Sequence, residues 1–270
     1  MQIFGNVNLK AIILAAGQGI RLRPLTNNKP KCLVELFGNS LINHSINTFQ
    51  KCGISDITIV TGYLSNLLKI PNVSYVKNEN YASTNMVETL FCAREKLDDS
   101  VIISYGDIIF EQKILQKLID AEDDMSVIID SDWEKYWKLR FEDPLQDAES
   151  LITNAQNFIQ NIGQKPRSLD EIQGQYIGLM KFQNYGLSKL KSFYDKSKNQ
   201  SLEGVNPLNP NISFERSYMT DLLQGLINDE NQIRAIPINN GWLELDSLND
   251  YEIYQEMYSN GTLSSFFSIS

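Results

Sequence analysis

Hydrophobic residues along the chain follow two patterns: short continuous apolar runs, and segments in which apolar residues recur every three or four positions. The first run, Lys10–Ala16, ends in glycines and predicts a strand that is buried on both faces. Leu41–Cys52 has helical spacing, and Gly53 is a favourable residue just after a helix. The same patterns predict strands at 56–61, 73–76, 101–104, 125–129, 174–182, 233–238 and 242–245, and helices at 84–97, 114–121, 185–196, 217–227 and from 247 onward.

Strands that alternate with helices in the first half predict βαβ units. We therefore expect an α/β fold, with a Rossmann-like, mixed and mostly parallel sheet sandwiched by helices. Thr84 is expected to cap the helix at 84–97. The regular alternation of strands and helices ends after Asp130. We therefore expect a single domain over residues 1–258 with a small inserted lobe mainly at 131–215. The tail, 259–270, is expected either to be mobile or to pack through Phe266 and Phe267.

The composition excludes several classes of function. The 270 residues include 24 Lys and Arg against 33 Asp and Glu, and the net charge of −9 argues against a nucleic-acid or polybasic membrane partner. No apolar run is long enough to span a bilayer, and Met1–Leu9 lacks a signal-peptide pattern. Three cysteines without metal-ligand spacing predict a reduced, cytoplasmic setting. His44 is the only histidine, which excludes a histidine-based zinc site and disfavours Ser-His-Asp catalysis.

The charge is distributed unevenly along the chain. Met1–Val34 contains no Asp or Glu but five basic residues, which are Lys10, Arg21, Arg23, Lys29 and Lys31. A positive island on an acidic protein suggests a site for an anion, whereas the alternative is chance in a short window.

The loop after the first strand carries the most specific pattern. It is not a Walker A loop, because no Gly-Lys-Ser/Thr follows its glycines. It is not a dinucleotide fingerprint either, because a third glycine is missing and Pro24 blocks an immediate helix. The bare backbone at Gly17 and Gly19 would allow N–H groups to approach phosphate oxygens, and Arg21 could bind two such oxygens.

This loop resembles the signature of the nucleotidyltransferases, in the form Leu14-Ala-Ala-Gly-x-Gly-x-Arg-Leu-x-Pro-Leu-Thr-x-x-x-Pro-Lys31. The resemblance implies the nucleotide-diphospho-sugar transferase fold and a loop that wraps a nucleoside triphosphate. It implies that Arg21 holds the β- and γ-phosphates and that Lys31 neutralises the α-phosphate or the acceptor phosphate, so that both are catalytic. Arg23 is expected to be a surface charge. The residues implied to bind the nucleotide through this loop are Leu14, Ala15, Ala16, Gly17, Gly19 and Arg21.

Two carboxylates are candidates for a Mg²⁺ site. Asp107 follows an apolar strand and Gly106, which places it at the carboxyl edge of a parallel sheet, where ligands bind in such folds. Strand alternation puts Trp242, Glu244 and Asp246 on one face. Hard oxygen ligands suit Mg²⁺, and the family resemblance implies that Asp107 and Asp246 are its ligands. The alternatives are helix N-caps for both aspartates, and an ordinary strand glutamate for Glu244.

The second segment of resemblance is Lys77–Leu90, which is similar to the cytidylyltransferase branch. It implies that Asn78, Thr84 and Asn85 belong to the CTP site. The stretch 130–149, followed by 174–179, is most similar to the phosphoglutamine cytidylyltransferases of capsular phosphoramidate biosynthesis. Phosphocholine and aminoethylphosphonate cytidylyltransferases are also similar.

The inserted lobe is the predicted acceptor-binding region. Arg140, Asp143, Asp147 and Glu149 supply both signs of charge, as a zwitterionic amino-acid phosphate requires. An aromatic box for a quaternary ammonium could use Trp133, Trp137, Tyr176 and Trp242. Trp133 is balanced between pocket and core, Trp137 is expected in the core, and Asp221 either grips an acceptor amine or is an exposed helix residue. The acceptor-binding candidates are Trp133, Arg140, Tyr176, Asp221, Trp242 and Glu244.

The function implied is a Mg²⁺-dependent transfer of CMP from CTP to a phosphorylated or phosphonylated small molecule, with release of pyrophosphate. The acceptor oxygen is already anionic, so no general base is needed, and the scarcity of histidine fits this mechanism. Two alternatives remain: a sugar-1-phosphate nucleotidyltransferase, and a non-catalytic nucleotide sensor. A homodimer is left open, and the sequence does not identify the acceptor.

Overall fold

The computed structural model describes residues 9–269. The segment Met1–Leu9, which lacks a signal-peptide pattern in the sequence, lies outside the described residues except for Leu9. The strands are β1 Leu9–Ala15, β2 Glu35–Leu36, β3 Asn39–Ser40, β4 Ile57–Thr61, β5 Ser74–Lys77, β6 Ser100–Tyr105, β7 Ile108–Phe110, β8 Met125–Asp130, β9 Leu151–Thr153, β10 Ile159–Ile162, β11 Gln175–Gln183, β12 Arg234–Ile238 and β13 Trp242–Glu244. The α-helices are α1 Leu41–Lys51, α2 Met86–Cys92, α3 Gln112–Ile119, α4 Trp133–Arg140, α5 Asn184–Ser201, α6 Met219–Asn228 and α7 Leu248–Asn260.

Seven strands form the central sheet in the order β12-β8-β11-β6-β1-β4-β5. All neighbours are parallel except β11, which pairs antiparallel with both β6 and β8. The predicted mixed, mostly parallel sheet is therefore confirmed. Because β1, β4 and β6 run in the same direction, their carboxyl ends meet at one edge of the sheet.

Both faces of the sheet are covered, which explains the continuous apolar run of β1. Ile13 packs into one core and Ile12 into the other, and both are fully buried. The first core takes residues from α1, α3, α4 and α7, whereas the second takes residues from α2, α5 and α6. This three-layer arrangement fixes the sheet edge on which the polar loops converge.

Two local predictions are corrected by the structure. The helix predicted at 84–97 is α2 followed by a 3-10 turn at Arg94–Lys96, and its N-cap is Asn85 rather than Thr84. The Asn85 side chain accepts the Met86 N–H at 2.9 Å. Thr84 instead donates to the carbonyl of Asn80 and accepts from Asn78, so its hydroxyl is not free to cap the helix.

The C-terminal tail packs against the body, which decides between the two alternatives given for it. Phe267 is buried in the first core, Phe266 packs against the same core, and the Phe266 carbonyl accepts the Gly241 N–H. Residues 131–215, predicted to form a lobe, contain α4 and the β9–β10 hairpin but also supply β11 to the central sheet. Among the described residues, no helix combines the length and apolar character needed to cross a membrane.

Candidate active site

A cleft of about 470 Å³, the main cleft, opens at the carboxyl edge of the sheet. Its walls come from the end of β1 and the following loop, the start of α2, the turn after β6 and the residues around β13. The lining residues are Leu14, Ala15, Ala16, Gly17, Gln18, Gly19, Ile20, Arg21, Lys31, Cys32, Tyr81, Thr84, Asn85, Met86, Thr89, Tyr105, Gly106, Asp107, Tyr218, Glu244 and Asp246. The cleft thus unites the predicted loop, α2 and carboxylate residues, with the exception of Asn78.

Two glycines allow the cleft walls to approach each other closely. Gly19 has a φ of +64°, and a Cβ there would lie 2.9 Å from Cβ of Lys31. The Gly19 carbonyl accepts the Thr26 hydroxyl at 2.7 Å, which closes the loop. A Cβ at Gly106 would lie 2.8 Å from the Leu14 carbonyl oxygen. Glycine at these positions therefore brings Lys31 beside the β1 loop and lets the turn before Asp107 pack over β1.

Two cations and two carboxylates form a cluster at the base of the cleft. Nζ of Lys31 lies 2.7 Å from Oδ2 of Asp107 and 2.8 Å from Oδ1 of Asp246. Nη2 of Arg21 lies 2.5 Å from the second carboxylate oxygen of Asp246. The Lys31 side chain is 12% exposed, whereas that of Arg21 is 67% exposed. Lys31 is therefore a buried member of the cluster, whereas the Arg21 side chain lines the cleft and is largely open to solvent.

The charges of this cluster shift one another's titration. Burial alone lowers the pKa of Lys31, but Asp107, Asp246 and Glu244 outweigh burial and raise it above its ordinary value. Burial alone raises the pKa of Asp246, but Lys31 and Arg21 outweigh burial and lower it. Lys31 is thus a cation and Asp246 an anion at neutral pH. Neither aspartate caps a helix, because Glu111 precedes α3 and Ser247 caps α7.

Asp107 and Asp246 supply oxygen atoms of the type that Mg²⁺ prefers as ligands. Oδ1 of Asp107 is buried and has no hydrogen-bond partner among residues 9–269, so it is available as a metal ligand. Within the same residues, no group of three or more His, Cys, Asp or Glu side chains could hold a metal. Mg²⁺ binds commonly through one or two carboxylates plus substrate phosphates. Asp107 and Asp246 fit that pattern if triphosphate oxygens complete the coordination.

The α2 wall of the cleft is supported by Asn78, which lies behind it. Asn78 is 2% exposed and donates to the hydroxyls of Thr84 and Thr89 at 2.8 and 3.0 Å. Thr84, Asn85 and Thr89 line the cleft. Asn78, predicted to belong to the CTP site, therefore positions residues of the wall and does not itself reach the cleft.

A second, smaller cavity of about 170 Å³, the side cavity, adjoins the main cleft. The two share Met86, Tyr105, Tyr218 and Glu244. The remaining lining residues are Trp137, Asp147, Glu149, Gln175, Tyr176, Ile177, Thr220 and Trp242. A ligand at the charged cluster can therefore extend past Glu244 into a region with aromatic and acidic side chains.

Arg140 lines neither cavity and organises the segment that carries Glu244, at the end of β13, and Asp246. Its side chain is 1% exposed and makes ion pairs with Glu244 at 2.8 Å and Asp250 at 2.9 Å. The Asp250 carboxylate in turn accepts the backbone N–H groups of Asp246 and Ser247. Arg140 was predicted to bind the acceptor, but the structure buries it, so it positions acidic residues of the site.

The other acceptor candidates divide into two groups. Tyr176, Trp242 and Glu244 line the side cavity, whereas Trp133 is buried in the core and lines neither cavity. Trp242 also donates Nε1–H to the buried Asp130 at 2.8 Å, which fixes its ring. Trp137, expected to be a core residue, is 5% exposed but also lines the side cavity.

Asp221 fits neither alternative proposed for it. It is 5% exposed, lines neither cavity, and accepts the Tyr218 N–H at 2.8 Å at the start of α6. Its role in the structure is therefore to cap the helix.

The sequence analysis did not identify several residues that line the main cleft or the side cavity, chiefly Tyr81, Met86, Thr89, Tyr105, Tyr218, Gln175 and Thr220. Tyr105 sits at the end of β6, directly before Gly106 and Asp107, so its place at the sheet edge was a usable signal. Tyr218 carried no such signal. It reaches the cleft because the loop before α6 returns to α2, where the Asn85 N–H donates to the Glu215 carbonyl.

Comparison with known proteins agrees with the resemblance of the β1 loop to the nucleotidyltransferases. Residues 11–171 match the family model described as a MobA-like NTP transferase domain. The chain is 40% identical over 260 residues to the CTP:phosphoglutamine cytidylyltransferase of Campylobacter jejuni, covering 92% of this chain and all of that protein. It is also 40% identical over 107 residues to the choline-phosphate cytidylyltransferase of Streptococcus pneumoniae, covering 38% of this chain and 47% of that one.

Solved structures support the fold. The CTP:phosphocholine cytidylyltransferase of Streptococcus pneumoniae superposes with a TM-score of 0.69 at 23% identity, covering 93% of this chain and 99% of that one. The inositol-1-phosphate CTP transferase of T. maritima superposes with a TM-score of 0.70 at 19% identity, covering 98% and 99%. Because the family model matches more than half of the chain and a 40% identical relative covers 92% of it, this chain belongs to the MobA-like NTP transferase family, and it is a nucleotidyltransferase.

Proposed function

We propose that this nucleotidyltransferase transfers CMP from CTP to a phosphorylated small molecule of the phosphoglutamine type, releases pyrophosphate and depends on Mg²⁺. The observation that carries the proposal is the cluster of Asp107, Lys31, Asp246 and Arg21 between the β1 loop and the side cavity. Support for CTP and for the acceptor class comes from the name of the 40% identical relative.

The chemistry requires charge neutralisation rather than proton transfer. An oxygen of the acceptor phosphate attacks the α-phosphorus of CTP, a new P–O bond forms, and the bond to pyrophosphate breaks. The attacking oxygen is already an anion, so no base has to take a proton from it. His44 is consistent with this, because its ring bonds to the Leu36 carbonyl at 2.8 Å and does not line the cleft.

Each member of the cluster has a separate task in the proposed reaction. Lys31 is buried and held by two carboxylates, so its fixed charge would neutralise the α-phosphate or the acceptor phosphate. Arg21 is exposed and can turn from Asp246 to bind two oxygens of the leaving pyrophosphate. Asp107 and Asp246 would hold Mg²⁺, which neutralises triphosphate charge when it is bound.

The direct test is pyrophosphate release across four nucleoside triphosphates and a set of acceptors, with Mg²⁺. The acceptors are phosphoglutamine, phosphocholine, aminoethylphosphonate and a hexose 1-phosphate. We expect release with CTP and phosphoglutamine and at least about tenfold less with the other nucleotides. Turnover only with a hexose 1-phosphate, or no turnover with any pair, would contradict the proposal.

A further inference from the structure

The side cavity has an excess of negative charge and no basic residue in its lining. Asp147 and Glu149 line it, and Asp221 lies close enough to Glu149 to affect its titration. Asp147 accepts the Trp137 indole N–H, and Asp221 accepts the Tyr218 N–H. Glu149, by contrast, has no ion-pair partner of the opposite charge within residues 9–269.

Glu149 lines the side cavity, and hydrogen bonds hold both its backbone and its carboxylate in place. The side chain of Gln175, which is 4% exposed, accepts the Glu149 N–H at 3.1 Å and donates to the Glu149 carbonyl at 2.5 Å. The carboxylate receives the Thr220 hydroxyl. This arrangement fixes where the negative charge lies, without supplying a cation to balance it.

Holding an ionised carboxylate in this buried place without a cation costs free energy, and the pKa of Glu149 is raised accordingly. Burial raises the pKa of its carboxyl to about 7, and the nearby charge of Asp221 adds to the rise, although the Thr220 hydroxyl opposes it. A cation in the side cavity would offset this cost, because an opposite charge favours the ionised carboxylate. An anionic group in the same place would increase it.

The shape and remaining lining restrict the size and chemistry of that cation. The cavity is about 170 Å³, and Trp137, Tyr176 and Trp242 present ring surface beside the carboxylates. Ring faces attract cations, and carboxylates accept N–H donors. Because the cavity meets the main cleft at Glu244, a molecule bound there can extend into the cleft that Lys31 lines.

We propose that the side cavity binds a protonated primary amine of the acceptor, and that Glu149 is the ionic partner that selects acceptors carrying this group. The inference rests on the proposed function and goes further, because it names the recognised group and the residue that recognises it. Glu149 accordingly determines specificity and takes no part in breaking or forming the P–O bonds.

The test compares two acceptors that differ only in the amine: phosphoglutamine and its counterpart without the α-amino group. Pyrophosphate release with CTP is measured for the wild type, for Glu149→Gln, and for Glu142→Gln as a control. Glu142 is exposed in the same region and lines neither cavity. We expect the wild type to prefer the amine by about tenfold to a hundredfold in kcat/KM, the range for a hydrogen bond to a charged group.

Glu149→Gln is expected to reduce this preference to about twofold or less, through a higher KM for phosphoglutamine, with the KM for CTP unchanged. Glu142→Gln is expected to keep the wild-type preference. A preference that survives in Glu149→Gln would overturn the proposal, and so would an equal loss of turnover with both acceptors.

A failure of the proposed function gives a different result. In that case the wild type releases no pyrophosphate from CTP with either acceptor. Calorimetry then tests whether the side cavity binds the amine. It measures the binding of phosphoglutamine and of its deaminated counterpart to the wild type and to Glu149→Gln. The proposal is supported if Glu149→Gln binds phosphoglutamine more weakly than the wild type does, while both proteins bind the deaminated counterpart equally. It is overturned if the two proteins bind phosphoglutamine equally well.

Discussion

The main cleft and the side cavity are built from different kinds of residue. The main cleft uses backbone and small side chains after β1, with a charged cluster whose cations and carboxylates are paired. The side cavity is lined by aromatic rings and carboxylates, and Glu149 there has no basic ion-pair partner within the described chain. Paired charges in the main cleft suit a ligand that brings both phosphate and metal, whereas the unpaired carboxylate of the side cavity suits a ligand that brings a cation.

We expect the greatest loss of activity from a change in the charged cluster of the main cleft. Asp107→Asn removes the charge of one proposed Mg²⁺ ligand, and we expect kcat to fall by about a thousandfold, because several kcal/mol of charge stabilisation is lost. Pyrophosphate release measures the change, and circular dichroism checks folding. Asp170→Asn, an exposed site outside both cavities, is the matched control and is expected to behave like the wild type. Near-normal turnover in Asp107→Asn would contradict the metal role.

The next largest effect is expected on stability, at Arg140, which is buried and pairs with Glu244, a residue that lines both cavities. Arg140→Met leaves Asp250 buried without its partner, so the free energy of unfolding is expected to fall by about 3–5 kcal/mol. Urea unfolding measures it. The control is Arg94→Met, which removes an exposed pair with Asp195 and is expected to cost about 1 kcal/mol or less. Equal losses in the two variants would show that burial of the Arg140 pair is not what matters.

A smaller effect is expected in the pH dependence of acceptor binding, which depends on Glu149 in the side cavity. The pKa of Glu149 is raised to about 7, so the carboxylate is protonated below that pH and ionised above it. The KM for phosphoglutamine is therefore expected to fall by about tenfold between about pH 6 and pH 8, as the ionised form gains its attraction for the amine. The titratable and polar groups that interact with Glu149 are Asp147, Asp221, Thr220, Tyr105 and Tyr176.

The control for this pH effect is Glu149→Gln, measured with the same acceptor. Titration of the acceptor phosphate affects both proteins, so only the difference between their profiles reports on Glu149. Parallel profiles would mean that ionisation of Glu149 does not govern acceptor binding.

The smallest expected effect lies in the loop after β1. Gly19→Ala places a Cβ against Lys31 at a positive φ, so the free energy of unfolding is expected to fall by about 1–2 kcal/mol. Gly17→Ala is the matched control, because its Cβ meets no described atom within 4 Å and unfolding should change little. Thermal unfolding compares them. Equal stability of the two variants would contradict the strain assigned to Gly19.

The same contrast explains what the sequence could predict. The β1 loop is contiguous, and Asp107 directly follows β6, so local pattern and resemblance locate the main cleft. The side cavity depends on contacts between distant segments, such as that of Gln175 with Glu149. The burial of Arg140 could not be predicted either, because its partners Glu244 and Asp250 come from the other end of the chain.

In the proposed reaction, CTP binds in the main cleft and is attacked by the phosphate of an acceptor whose amine lies in the side cavity. Phosphorus NMR of the reaction with CTP, phosphoglutamine and Mg²⁺ identifies the bond that forms. We expect a new diphosphate linkage between CMP and the acceptor, with one pyrophosphate for each linkage. Release of pyrophosphate without that linkage, or an unchanged spectrum, would contradict the proposed reaction.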